Sequence, residues 1–142
     1  MPLITEAVAP HVREALRGLH TPVTLKFHPH PASPASEAME QLLAELTAFS
    51  DKLVVEKVPD LPDPVPPEES ADLEGSVTEV WVDGHPTGIR YLGFPGGHEF
   101  GAFLEALVAV STHAEPRLAP STREWLASLR QPLHLEVFVT PT

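Results

Sequence analysis

The chain has 142 residues, of which 42% are hydrophobic and 20% charged, a composition that suits one globular domain with room for a core. Its formal charge of -11 repels nucleic acid and anionic membrane surfaces, and no apolar run reaches the length of a membrane span. Cysteine is absent, which excludes disulfides, thiolate metal sites and any thiol chemistry carried by the chain itself.

The opening MPLITEAVAP lacks the basic patch and apolar core of a signal peptide, so a cytoplasmic setting is expected. Ile4, Val8, Val12, Leu16 and Leu19 recur at helical spacing, a helix that Pro10 would shorten or kink. PVTLKF alternates Val23, Leu25 and Phe27 on one face and reads as a strand. Met39, Leu42, Leu43, Leu46 and Phe49 then form the apolar stripe of a second helix, and LVVEKV is a second strand.

From Pro59 to Gly75 prolines and acids dominate, which predicts an extended surface loop with at most a short turn near Ser70. VTEVWV and IRYLG flank Asp83-Gly84, a hairpin turn signal, and are expected to be antiparallel. HEFGAFLEALVAV follows as a helix with Phe100, Phe103, Leu104, Leu107 and Val108 inward, capped by the Pro95-Gly96-Gly97 corner. Ser121 and Glu124 read as a capping box opening a last helix with Trp125, Leu126 and Leu129. LHLEVFV is the expected final strand.

An internal repeat organises the whole. Residues 13–32 align without a gap on residues 123–142, with Arg13/Arg123, Glu14/Glu124, Leu16/Leu126, Leu19/Leu129, Pro22/Pro132, Leu25/Leu135 and Pro31/Pro141 identical. Thr142 pairs with Ala32, one residue before the counterpart of Ser33. The chain therefore reads as one complete unit, residues 1–115, followed by the first helix and strand of a second, residues 116–142.

The order of elements is that of a thioredoxin fold with an extra N-terminal helix: α/β, with a mixed central sheet and flanking helices. VTLKFHPHPASPASEAMEQLLAELTAFSDKL, RYLGFPGGHEFGAFLEALVAVS and LHLEVFVTPT resemble the two-unit, glutaredoxin-like protein disulfide oxidoreductases. They also resemble the N-terminal domain of the flavoprotein component of alkyl hydroperoxide reductase. GFPGGHEF is the most specific of these stretches. In those families two thioredoxin units share a sheet, and the second carries a working Cys-Pro-x-Cys. The resemblance places the first unit's cysteines on Ser33 and Ser36 and its cis-proline near Ser76, so all three marks of dithiol chemistry are replaced here.

Ser33 and Ser36 carry two readings. Ser33 is a good helix N-cap with Pro34 at the favoured first position, or the pair is a vacated redox site, by natural loss or by Cys-to-Ser replacement. As nucleophiles the serines lack a specified base. His28 and His30, two residues apart in an extended segment, have the spacing of a zinc or nickel pair but read first as solvated loop residues. His98 and Glu99 read as a structural corner, Glu99 suiting the helix dipole.

These readings converge on a non-catalytic thioredoxin-fold module, a scaffold or docking unit for a thiol-disulfide redox partner, with no catalytic residue, cofactor or metal of its own. The alternative is a truncated or Cys-to-Ser form of a disulfide oxidoreductase. No nucleic acid or membrane partner is expected. The apolar tail, residues 117–142, is expected either to add to the sheet edge or to form a homodimer.

Overall fold

The computed structural model describes residues 1–31, 33–60 and 75–139. Its elements run α1 (Ala9–Leu16), β1 (Val23–His28), α2 (Pro34–Thr47), β2 (Leu53–Lys57), β3 (Val77–Val82), β4 (His85–Leu92), α3 (Glu99–Thr112) and α4 (Pro120–Ala127). The expected parallel and antiparallel pairings form. The sheet order is β2-β1-β3-β4, with β1 parallel to β2 and antiparallel to β3, and β3 antiparallel to β4.

The two-residue period of a strand explains the core. Val23, Leu25 and Phe27 face one side of β1 and are buried with Val80 and Val82 of β3. Val12 and Leu16 of α1, Met39, Leu42, Leu43 and Leu46 of α2, and Phe103, Leu104 and Leu107 of α3 join them in one cluster. Phe100, expected inward with Phe103, is only partly buried and packs at the cluster's margin.

Both helices that flank β1 in sequence depend on local chemistry. The expected helix from Ile4 to Leu19 is confined to Ala9–Leu16, because Pro10 sits in its first turn, where a missing N–H costs nothing. Ahead of it, the amides of Val8 and Ala9 both donate to the Thr5 carbonyl, at 3.0 and 2.9 Å, in a separate turn. Ile4 stays buried outside the helix because its own amide and that of Leu3 donate to the Glu45 carboxylate at 2.8 and 2.9 Å. Burial acts to raise the Glu45 pKa, but these backbone bonds and one from Gln41 hold it below its ordinary value.

Ser111, buried on α3, clasps the start of β1. Its hydroxyl accepts from the His20 amide at 2.8 Å and donates to the Thr21 carbonyl at 2.6 Å. The far end of the sheet closes on two glycines: the Gly93 amide donates to the Ser76 carbonyl at 2.7 Å, and a Cβ on Gly75 would lie 2.8 Å from the Gly93 Cα.

Two expectations are corrected here. The helix near the C-terminus begins on Pro120 with Ala119 as its N-cap and no side-chain capping bond, so Ser121 and Glu124 form no capping box. Proline's fixed φ takes the first helical position and leaves Ser121 inside the helix. α3 has no side-chain cap, and the expected corner serves it through its backbone: the amides of Glu99 and Phe100 donate to the Gly96 and Gly97 carbonyls, both at 3.3 Å. Residues 133–139 form no strand, and every described residue from 113 to 139 is exposed. The counterpart of that segment, β1, has a strand on either side; residues 133–139 have none, so the edge-addition route is not taken among the described residues. The acidic proline-rich loop, with the turn near Ser70, lies largely outside the described residues.

Ser111→Ala is expected to lower stability by about 1–3 kcal/mol, because it strands the His20 amide and the Thr21 carbonyl without their partner. The readout is a urea titration with an unchanged slope and a lowered midpoint.

Candidate functional site

The corner after β1 is where the chain would carry its chemistry. β1 ends at His28 and α2 starts at Pro34. Ser33 is the N-cap in an extended conformation (φ -101°, ψ 120°). Its side-chain oxygen accepts from the Ser36 amide at 3.4 Å, and its carbonyl accepts from the amides of Ser36 and Glu37 at 3.0 and 3.1 Å. The Ser36 hydroxyl in turn accepts from the His30 amide at 2.9 Å. Both serines are buried. The corner is a capped helix start whose two hydroxyls close the backbone around it.

A nucleophilic serine needs a base within hydrogen-bond reach. The His30 ring instead faces the Pro31 carbonyl, at 2.9 Å from Nδ1. The His28 ring is held elsewhere, which corrects the solvated reading of that residue. His28 is 4% exposed, with Nε2 2.9 Å from Glu79 Oε1 and Nδ1 in contact with the Asp60 carbonyl. No group of three His, Asp or Glu side chains able to hold a metal occurs among the described residues.

Glu79 was not legible as a site residue in the sequence. It is 8% exposed and accepts from His28 on one oxygen, while the other lies 3.3 Å from the Arg90 guanidinium. A hairpin with the Asp83-Gly84 turn and no irregularity would put Gly88 opposite Glu79. The bulge between Glu79 and Trp81 moves Arg90 there instead. On the same face Lys26 Nζ sits 3.7 Å from the centre of the Trp81 ring. The only hint in sequence was an acid inside the largely apolar VTEVWV.

Ser76, the position the resemblance assigns to the cis-proline, is fully buried just before β3, whose Val77 pairs with His28. Its hydroxyl and that of Thr78 have no hydrogen-bond partner among the described residues. At the other specific motif, GFPGGHEF, Glu99 opens α3 with one buried carboxylate oxygen likewise unpartnered. Burial and, next, the nearby Glu99 charge raise the pKa of Tyr91, whose ring packs edge-on against Phe103 at 4.8 Å.

Tyr91 is the chain's single tyrosine, so the phenolate absorbance reads it alone. Its titration midpoint in the folded chain is expected above the ordinary value of about 10 and to fall in Glu99→Gln. Since the folded state favours the neutral phenol, this contribution to stability is intact below the unfolded pKa and is lost as pH rises through the folded one. A folded midpoint at or below that of the unfolded chain contradicts the placement of Tyr91.

No family model matches the sequence. The alkyl hydroperoxide reductase protein AhpF of Staphylococcus epidermidis, from two strains, is 39% identical over 59 residues, which is 42% of this chain and 11% of that protein. Among solved structures, the alkylhydroperoxide reductase AhpF of Enterococcus faecalis matches with a TM-score of 0.68 at 22% identity, over 88% of this chain and 60% of that one. A protein disulfide oxidoreductase from Aeropyrum pernix matches with a TM-score of 0.73 at 20% identity, over 97% of this chain and 60% of that one. The chain thus spans about three fifths of these solved relatives and a much smaller part of the curated one. No helix among the described residues is long and apolar enough to cross a membrane. The chain has a thioredoxin-like fold, and its resemblance to the N-terminal part of AhpF and to a protein disulfide oxidoreductase holds in three dimensions.

Proposed function

We propose that this chain is a thioredoxin-fold module without dithiol chemistry of its own, acting as a scaffold or docking unit within a thiol-disulfide redox system. The observation that carries this reading is the corner at Ser33 and Ser36. Both hydroxyls there are committed to the backbone of the helix start, in a chain with no cysteine. Thiol-disulfide exchange needs a thiolate as its attacking group, and no residue here supplies one. The redox association is supported by the kinds of protein the fold resembles. The reading sets the module in the cytoplasm, where thiols are kept reduced.

A second reading, a Cys-to-Ser or truncated form of a disulfide oxidoreductase, is favoured by one feature. Ser33 and Ser36 hold the two-residue spacing of a dithiol at the N-terminus of a helix. A double variant, Ser33→Cys with Ser36→Cys, separates the two. Under the first reading the unmodified chain shows no insulin reduction with dithiothreitol or a thioredoxin reductase, and the double variant stays near blank, because Ser76 still replaces the third element of the site. A double variant that turns over insulin at rates typical of a reductase supports the second reading. Turnover by the unmodified chain contradicts both.

A further inference from the structure

Residues 1–4 are held by other means than the rest of the fold. They lie in neither helix nor strand, and α1, which follows the turn at Thr5, packs on α3. Ile4 is nevertheless 8% exposed and belongs to the core cluster, while Met1 and Leu3 are exposed. One apolar side chain is a small anchor for a segment without a ladder of its own. Among the described residues, the hydrogen bonds of residues 1–4 run to two side chains of α2, Gln41 and Glu45.

Those bonds form a latch. Pro2 has no N–H, so Leu3 and Ile4 supply the donors, one to each oxygen of the Glu45 carboxylate, at 2.9 and 2.8 Å. Gln41, one turn back on α2, donates to Glu45 Oε1 at 2.8 Å and to the Met1 carbonyl at 2.7 Å, which ties carboxylate and segment together. Protonation would put a hydrogen on one of two oxygens that each face an N–H, and would remove the charge that strengthens both bonds.

We propose that residues 1–4 are an acid-released strap. The ionised Glu45 carboxylate holds them on α2, and its protonation frees Ile4 from the core while the sheet and the three packed helices stay closed. The surroundings make Glu45 the titrating group. One turn either way on α2 stand Gln41, Leu42, Ala48 and Phe49, none of which titrates. From α1, the Arg13 guanidinium lies over the Phe49 ring, 5.6 Å from its centre, and from the segment itself the amino terminus acts on Glu45. Both are cations in acid, so neither changes charge as the carboxylate does.

Burial acts to raise the Glu45 pKa, but the two amides, Gln41 and the amino terminus outweigh it and hold it below the ordinary value. The strap is therefore held in full above that ordinary value and loosens as pH falls through the lower, folded one. The latch needs only the amides of Leu3 and Ile4 and two side chains of α2. It uses no residue of the Ser33 corner and stands apart from the redox reading.

Amide hydrogen exchange of the full chain, followed by NMR, tests the strap. At about pH 6, where a glutamate is ionised, Glu45→Gln is expected to lower the protection of the Leu3 and Ile4 amides at least about ten-fold, with Val23 to His28 unchanged. In the unmodified chain the same loss should develop between about pH 6 and pH 3, and Glu45→Gln should show no such step. Equal protection of Leu3 and Ile4 in the two chains overturns the proposal. So does an acid step that persists in the variant, or a loss that Val23 to His28 share.

Discussion

Everything in this fold depends on β1 being paired along both of its edges. Lying between β2 and β3, it is an interior strand of the sheet, and its alternation carries Val23, Leu25 and Phe27 into the centre of the core. Fully burying side chains of this kind contributes on the order of 1.5–3 kcal/mol each, so the strand is one of the main sources of cohesion between the sheet and the helices. Its ends are fixed by different means. Ser111 of α3 ties the backbone leading into it, and His28 ends it inside a polar contact with Glu79. A strand so held leaves the following corner little freedom, and the corner is where a thioredoxin fold would place its chemistry.

At that corner two serines, three positions apart, close the start of a helix. Ser33 and Ser36 stand at the start of α2, where a thiolate would profit from the helix dipole, but hydroxyls at that position serve as hydrogen-bond partners of the backbone. The buried His28–Glu79–Arg90 arrangement lies on the sheet face away from the core. The Glu79 carboxylate meets His28 on one oxygen and Arg90 on the other. At both places polar groups are committed to internal partners.

Much of the fold was legible in the sequence because it rests on periodicity. The two-residue alternation in PVTLKF and VTEVWV, and the helical stripe through Met39, Leu42, Leu43 and Leu46, each report burial that a single segment decides for itself. What was missed depends on partners distant in sequence. His28 reads as solvated in its own Pro-rich context and is buried only because Glu79, fifty-one residues on, meets it across the sheet. Arg90 reaches Glu79 only through a bulge that no turn signal announces. Proline effects were read with mixed success: Pro10 shortens α1 as its chemistry demands, while Pro120 displaces the expected Ser121 cap.

The tail makes the same point in reverse. Residues 123–139 repeat the pattern of α1 and β1, yet they form only the helix, because a strand is defined by its neighbours and a short helix by its own backbone. The body of the molecule is accordingly one cooperative unit organised on β1, to which the tail contributes no packing. Native-state hydrogen exchange tests this most directly. The account predicts that the amides of Val23 to His28 exchange only through global unfolding, at a free energy equal to that from denaturant titration and unchanged when the tail is removed after Glu115. Exchange of those amides through a smaller opening, or a loss of their protection on removing the tail, would contradict it.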